Sequence, residues 1–141
     1  MLQRPMQTMI DSTSISEYLV ISRGQWDPNL SNGEIQGAID DFYAWHERLV
    51  SEGKMKAGQR LATAGRMVSK HAITDGPYAE AKEVIRGYWI ILAGSLDEAA
   101  QLAAENPCLA CGLVYEIRPI ETARASAFAM TNETPGDSAT R

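Results

Sequence analysis

Two hydrophobic periods alternate along the chain, one near two residues and one near 3.6. Tyr18-Leu19-Val20-Ile21 is a run of strand formers closed by Gly24 and by the turn formers Asp27-Pro28-Asn29, which predicts a buried strand. Ser31 stands three residues before Glu34, the spacing of a capping box, so a helix is expected to begin there. Ile35, Ile39, Phe42, His46 and Leu49 then step by four, three, four and three. That is one face of an amphipathic helix of about five turns. Gly53 is placed to end it.

Residues 55–62 and 66–73 read as two strands joined in a hairpin-like connection through Thr63-Ala64-Gly65. A charged loop follows, and residues 85–93 form the strongest strand pattern in the chain. Ser95 can cap a second helix, with Asp97 and Glu98 in its first turn, where they favour the helix dipole. Leu96, Ala99, Ala100, Leu102 and Ala103 supply its apolar face, and Pro107 is expected to stop it. A last strand is predicted over residues 113–120. Residues 1–16 read as a flexible N-terminal arm, 17–120 as the domain, and 121–141 as a largely disordered C-terminal tail.

Strand, helix, three strands, helix, strand is the order of an α+β, ferredoxin-like antiparallel sheet with two helices on one face. The last strand puts Leu113, Tyr115 and Ile117 on one side and Val114, Glu116, Arg118 and Ile120 on the other. Both sides carry apolar residues, so a homodimer packed sheet against sheet is expected.

At 141 residues the chain is one domain able to bury a core, and its 45% hydrophobic and 22% charged residues are ordinary globular values. A net charge of −5 without a basic stripe argues against a nucleic-acid partner. No stretch approaches the roughly 20 apolar residues of a membrane span, and residues 1–16 lack the apolar core of an export signal. A cytoplasmic protein with no membrane partner is expected.

One set of motifs is specific in combination. Asp75-Gly76-Pro77-Tyr78 leads into Glu80, Lys82 and Glu83, then into a strand opening Gly87-Tyr88. Leu96-Asp97-Glu98-Ala99 opens a helix, Asn106-Pro107 follows it, and Glu116, Arg118 and Pro119 lie in the last strand. With His46 and Gly53, this resembles the DGPF branch of the YCII-related family over roughly residues 17 to 120. Tyr78 replaces the usual Phe, and Asn106 stands where the family often has Asp. The resemblance implies a ferredoxin-like dimer with a cleft, and an enzyme role suggested from a His/Asp pairing. It also implies, for some members, a link to extracytoplasmic-function sigma factors.

His46 occupies a seam position otherwise filled by Ile, Phe and Leu, so it points at the sheet. It reads either as a general acid or base in a cleft or as a core histidine satisfied by one hydrogen bond. Asp75 is its candidate catalytic partner, although Asp-Gly-Pro can also be only a turn. Arg118 is a candidate for a substrate carboxylate, with pairing to Glu116 as the plainer reading. Tyr78 and Tyr88 complete the candidate substrate-binding set. Glu80, Lys82 and Glu83 read better as a solvated rim.

Cys108 and Cys111 form a C-x-x-C spacing that follows a helix C-terminus, where the dipole disfavours a thiolate. Zinc would need two more ligands, and His46 and His71 are the only histidines, so neither metal nor cofactor is expected. No phosphate loop, nucleophile elbow or zinc-protease motif is present. These features favour a small homodimer whose cleft takes a small-molecule ligand, with His46 moving a proton and Asp75 orienting it. The alternative is a non-catalytic binding or regulatory module, acting with a sigma factor.

Overall fold

A computed structural model describes residues 15–75 and 85–136. The arm over residues 1–14, the end of the tail over 137–141, and residues 76–84 with Tyr78, Glu80, Lys82 and Glu83 lie outside the described residues. The elements run β1 (Ser16–Gly24), α1 (Asn32–Ser51), β2 (Met55–Arg60), β3 (Arg66–Val68), β4 (Ile73–Asp75), β5 (Gly87–Ala93), α2 (Leu96–Ala103), a 3₁₀ turn (Pro107–Cys111) and β6 (Leu113–Pro119).

Local chemistry starts both helices as the sequence pattern implies. Ser31 accepts from the Glu34 amide while the Glu34 carboxylate accepts from the Ser31 amide, the reciprocal capping box. Ser95 caps α2 by accepting from the Glu98 amide. Each cap satisfies amides that the helix itself cannot, a contribution of about 1 kcal/mol.

Strands β2, β5, β1 and β6 form one antiparallel sheet in that order. The ferredoxin-like α+β expectation is met. Alternation then sorts the side chains. Tyr18, Val20, Trp89 and Ile91 join Met55 of β2, Trp45 and Leu49 of α1, and Ala99 and Ala103 of α2 in the core. Leu19, Ile21, Tyr88, Ile90 and Leu92 therefore line the opposite, helix-free face, where Val114 is exposed. Charges border that face: Lys56 with Glu17, and Arg23 with Glu116 at 2.7 Å.

Two expectations are corrected. Residues 66–73 are not one strand in a hairpin with 55–62: β2 pairs with β5, and the two short strands β3 and β4 pair with each other in a sheet of their own. The reversal between them, closed by the Ser69 amide on the Ala72 carbonyl at 2.9 Å, contains no Gly or Pro to announce it. Val68 and Ile73 face each other across this hairpin, 73% and 71% exposed. Pro107 likewise does not end α2, which stops at Ala103. It opens the 3₁₀ turn instead, with Asn106 as the cap accepting from the Cys108 amide at 2.8 Å. Pro suits a first helical position, where the missing amide proton has no partner to lose.

Edge strand β2 carries a register irregularity between Lys56 and Gln59. Gly58 sits within it, where an added Cβ would stand 1.9 Å from the Tyr88 carbonyl oxygen. Only a residue without a side chain permits that approach.

Candidate functional site

The site is built where α1 crosses the sheet. Phe42 and His46 are one turn apart on the inward stripe, and their rings stack at 5.4 Å with planes 8° apart. Trp89, projecting inward from the middle of β5, closes a tilted contact with His46 at 5.6 Å and with Phe42 at 5.0 Å. Met55 arrives from the other direction. The chain turns sharply after α1, with the Lys54 amide on the Leu49 carbonyl at 2.9 Å, and the first residue of β2 folds back under the helix.

Met55 Sδ then lies 3.3 Å from His46 Nδ1. A thioether sulfur can only accept, so Nδ1 carries the proton. His46 is only 8% exposed, and burial holds its pKa below the usual histidine value, with Glu47 opposing the shift in part. The ring is therefore neutral near pH 7, and in a neutral ring protonated at Nδ1 the lone pair is on Nε2. Among the described residues no hydrogen bond reaches Nε2.

Beyond Trp89 the cluster becomes polar. Tyr115, on the inward side of β6, lies 5.4 Å from Trp89. Its hydroxyl faces Ser22, Asn106 and Cys108, and burial, with Cys108 adding to it, pushes its pKa far above the usual tyrosine range. Asn106 Nδ2 is near enough to influence that hydroxyl but falls short of hydrogen-bond geometry. Trp45 Nε1 and Trp89 Nε1 are likewise sealed from solvent without an acceptor among the described residues. The Cys108 thiol donates to the Ala38 carbonyl of α1 at 3.6 Å, and burial raises its pKa.

Of the catalytic and substrate-binding candidates named from the sequence, His46 alone among the described residues belongs to this cluster. Asp75 stands at the end of β4, its side chain 89% exposed, with Arg66 as its ion-pair partner at 3.5 Å. No hydrogen bond or ion pair among the described residues joins it to His46, whose Nδ1 is taken by Met55. Arg118 shares the helix-free face with Tyr88 and lies 3.9 Å from Glu116, so the sheet itself separates both residues from His46. Tyr78 falls outside the described residues.

Met55 and Tyr115 escaped the sequence reading for different reasons. Tyr115 was legible only as sharing one side of the last strand with Leu113 and Ile117, and its polar neighbours come from β1 and from the capped 3₁₀ turn. Met55 opens a strand whose pairing places it, and nothing in its local pattern marks it. Among the described residues no three His, Cys, Asp or Glu side chains come together as a metal set. No helix among them is long and apolar enough to cross a membrane.

An uncharacterized protein of Rhizobium meliloti (strain 1021) is 32% identical over 100 residues, spanning 64% of this chain and 78% of that protein. Residues 20–123 match the YCII-related domain. The match covers most of the chain and every strand and helix of the main layer except the first residues of β1, so the protein belongs to the YCII-related domain family.

Proposed function

We propose that the protein is a cytoplasmic homodimer of the DGPF branch that binds a small organic molecule. In this reading, Nε2 of His46 accepts a hydrogen bond or a proton from the ligand. The observation that carries it is the Met55 contact, which commits Nδ1 to donation and leaves the lone pair on Nε2. Phe42 and Trp89 add flat apolar walls beside the ring, which suit a planar ligand with an acidic O–H or N–H.

Asp75, exposed at the end of the hairpin, serves the ligand's outer polar groups rather than the imidazole. Tyr88 and Arg118 belong to the dimer face. A two-fold contact brings the same patch of Leu19, Ile21, Tyr88, Ile90 and Leu92 from both copies together. Borders carrying both signs of charge can pair across such an axis.

The test is a thermal-shift screen of planar weak acids against wild type and His46→Gln. A ligand at about one hundred times its Kd adds ~2.7 kcal/mol to the folded state. The expected result is a compound that raises the Tm of wild type but not of a His46→Gln variant with an unchanged circular dichroism spectrum. Equal stabilisation of both proteins by every hit would sink the role given to His46. Light scattering on Ile90→Lys checks the dimer, which is expected to fall to a monomer.

A further inference from the structure

Cys108 touches the polar end of the cluster through Tyr115, but the C-x-x-C pair has no part in the ligand site proposed at His46. It follows the C-terminal end of α2, as its spacing implied, and sits inside the separate 3₁₀ turn Pro107–Cys111. In a 3₁₀ helix residues i and i+3 eclipse, at about 2 Å rise per residue, so the two Cα atoms stand roughly 6 Å apart. Disulfides span Cα separations of about 4.4–6.8 Å. Asn106 caps the turn and Gly112 ends it at φ +105°, where an added Cβ would meet Asp27 Oδ1 at 2.6 Å. The Cys111 carbonyl accepts from the Asp27 amide at 2.9 Å, which pins this cysteine's backbone to the loop before α1.

We propose that Cys108 and Cys111 are a modification site, forming an intrachain disulfide by exchange with a low-molecular-weight disulfide. Cys108 is buried and Cys111 only partly so, and both are free. Burial keeps Cys108 protonated, so Cys111 is the group an outside molecule reaches and the first nucleophile. Its thiol loses a proton to solvent, and the thiolate attacks one sulfur of the small disulfide. A Cys111–S–S–R bond forms, the R–S–S–R bond breaks, and RS⁻ leaves and takes up a proton. Cys108 Sγ then attacks Cys111 Sγ, its own proton going to solvent, and the second RS⁻ departs and is protonated. Two cysteine thiols are oxidised and one small disulfide is reduced to two thiols.

The bond has a mechanical consequence. Cys108 must turn away from the Ala38 carbonyl on α1 and from the Tyr115 hydroxyl, two contacts that tie the turn to the helix and strand around His46.

The experiment equilibrates the full chain with excess oxidised glutathione, quenches with acid, unfolds the protein and labels free thiols with a maleimide. Wild type is expected to take up no label and to lose two hydrogens in intact mass, reversibly on adding dithiothreitol. Cys108→Ala is expected to stop at one glutathione on Cys111, and Cys111→Ser to retain one labelled thiol. Two labelled thiols in treated wild type would overturn the proposal. So would glutathione on Cys111 beside a free Cys108, or chains cross-linked on a non-reducing gel.

Discussion

Gly58→Ala tests how closely the edge of the sheet is built and whether that edge holds the imidazole. The new Cβ would lie 1.9 Å from the Tyr88 oxygen, 2.7 Å from the Tyr88 carbon and 2.8 Å from Trp89 Cα, all of it backbone. To reach even 3.0 Å from that oxygen, the strands must part by more than 1 Å. Strand β2 is an edge strand paired only with β5, so it is the element that lifts. The flanking pairs are Lys56 with Ile90 and Gln59 with Tyr88. A displacement of that size takes two or three ladder hydrogen bonds out of range, at about 1 kcal/mol each. The expected loss is ~2–3 kcal/mol, read as a lower urea midpoint with an unchanged slope, or a Tm lower by roughly 6–12 °C.

The control is Gly37→Ala, the same chemical change on α1, where an added Cβ meets nothing within 4 Å. Helix propensity predicts a gain of about 0.5–1 kcal/mol there. Lifting β2 also moves Met55, so the nitrogen shifts of His46 should move in Gly58→Ala and not in Gly37→Ala. A Gly58→Ala protein within about 0.5 kcal/mol of wild type would refute the reasoning, because the strands would then have room that the structure denies.

Met55→Leu removes the sulfur but keeps the volume, so it should cost under about 1.5 kcal/mol; nitrogen NMR should show His46 losing its preference for the Nδ1–H tautomer. Acid should weaken the fold through His46. Its folded pKa lies below the unfolded value near 6.5, so the unfolded state binds more protons in that window and stability falls as pH drops below about 6.5. His46→Gln should flatten the profile there in urea titrations, while leaving the loss below 4.5 that Glu34, with its lowered pKa, contributes. Ser31→Ala removes the cap on α1 and should cost about 1 kcal/mol by the same titration.

What the sequence disclosed follows how local each interaction is. Ser31, Glu34 and the stripe through Phe42, His46 and Leu49 act within one helix, so their pattern was readable and the burial of His46 with it. Trp45 is buried off the narrow seam because α1 meets both the sheet and the aromatic cluster, a wider contact than one stripe describes. The 66–73 stretch hid a reversal because Lys70-His71 carries no turn signature. Asn106-Pro107 was ambiguous in principle: the pair that can follow one helix can also cap and open another. The Met55 contact with His46 was beyond reach, since it depends on where a strand start lands after a turn.

Strand β1 has one more consequence. It occupies an interior position in the sheet, yet its partners are β5 and β6, so Ser16 meets Ala93 and Gly24 meets Leu113. During synthesis β1 therefore has no neighbour in this sheet until β5 and β6 have followed it. Its apolar residues, Val20 and Ile21 among them, stay open to solvent and to other nascent chains through that interval. The main sheet closes last around its own earliest strand, so a chain halted before residue 87 would carry α1 and the hairpin but no partner for β1.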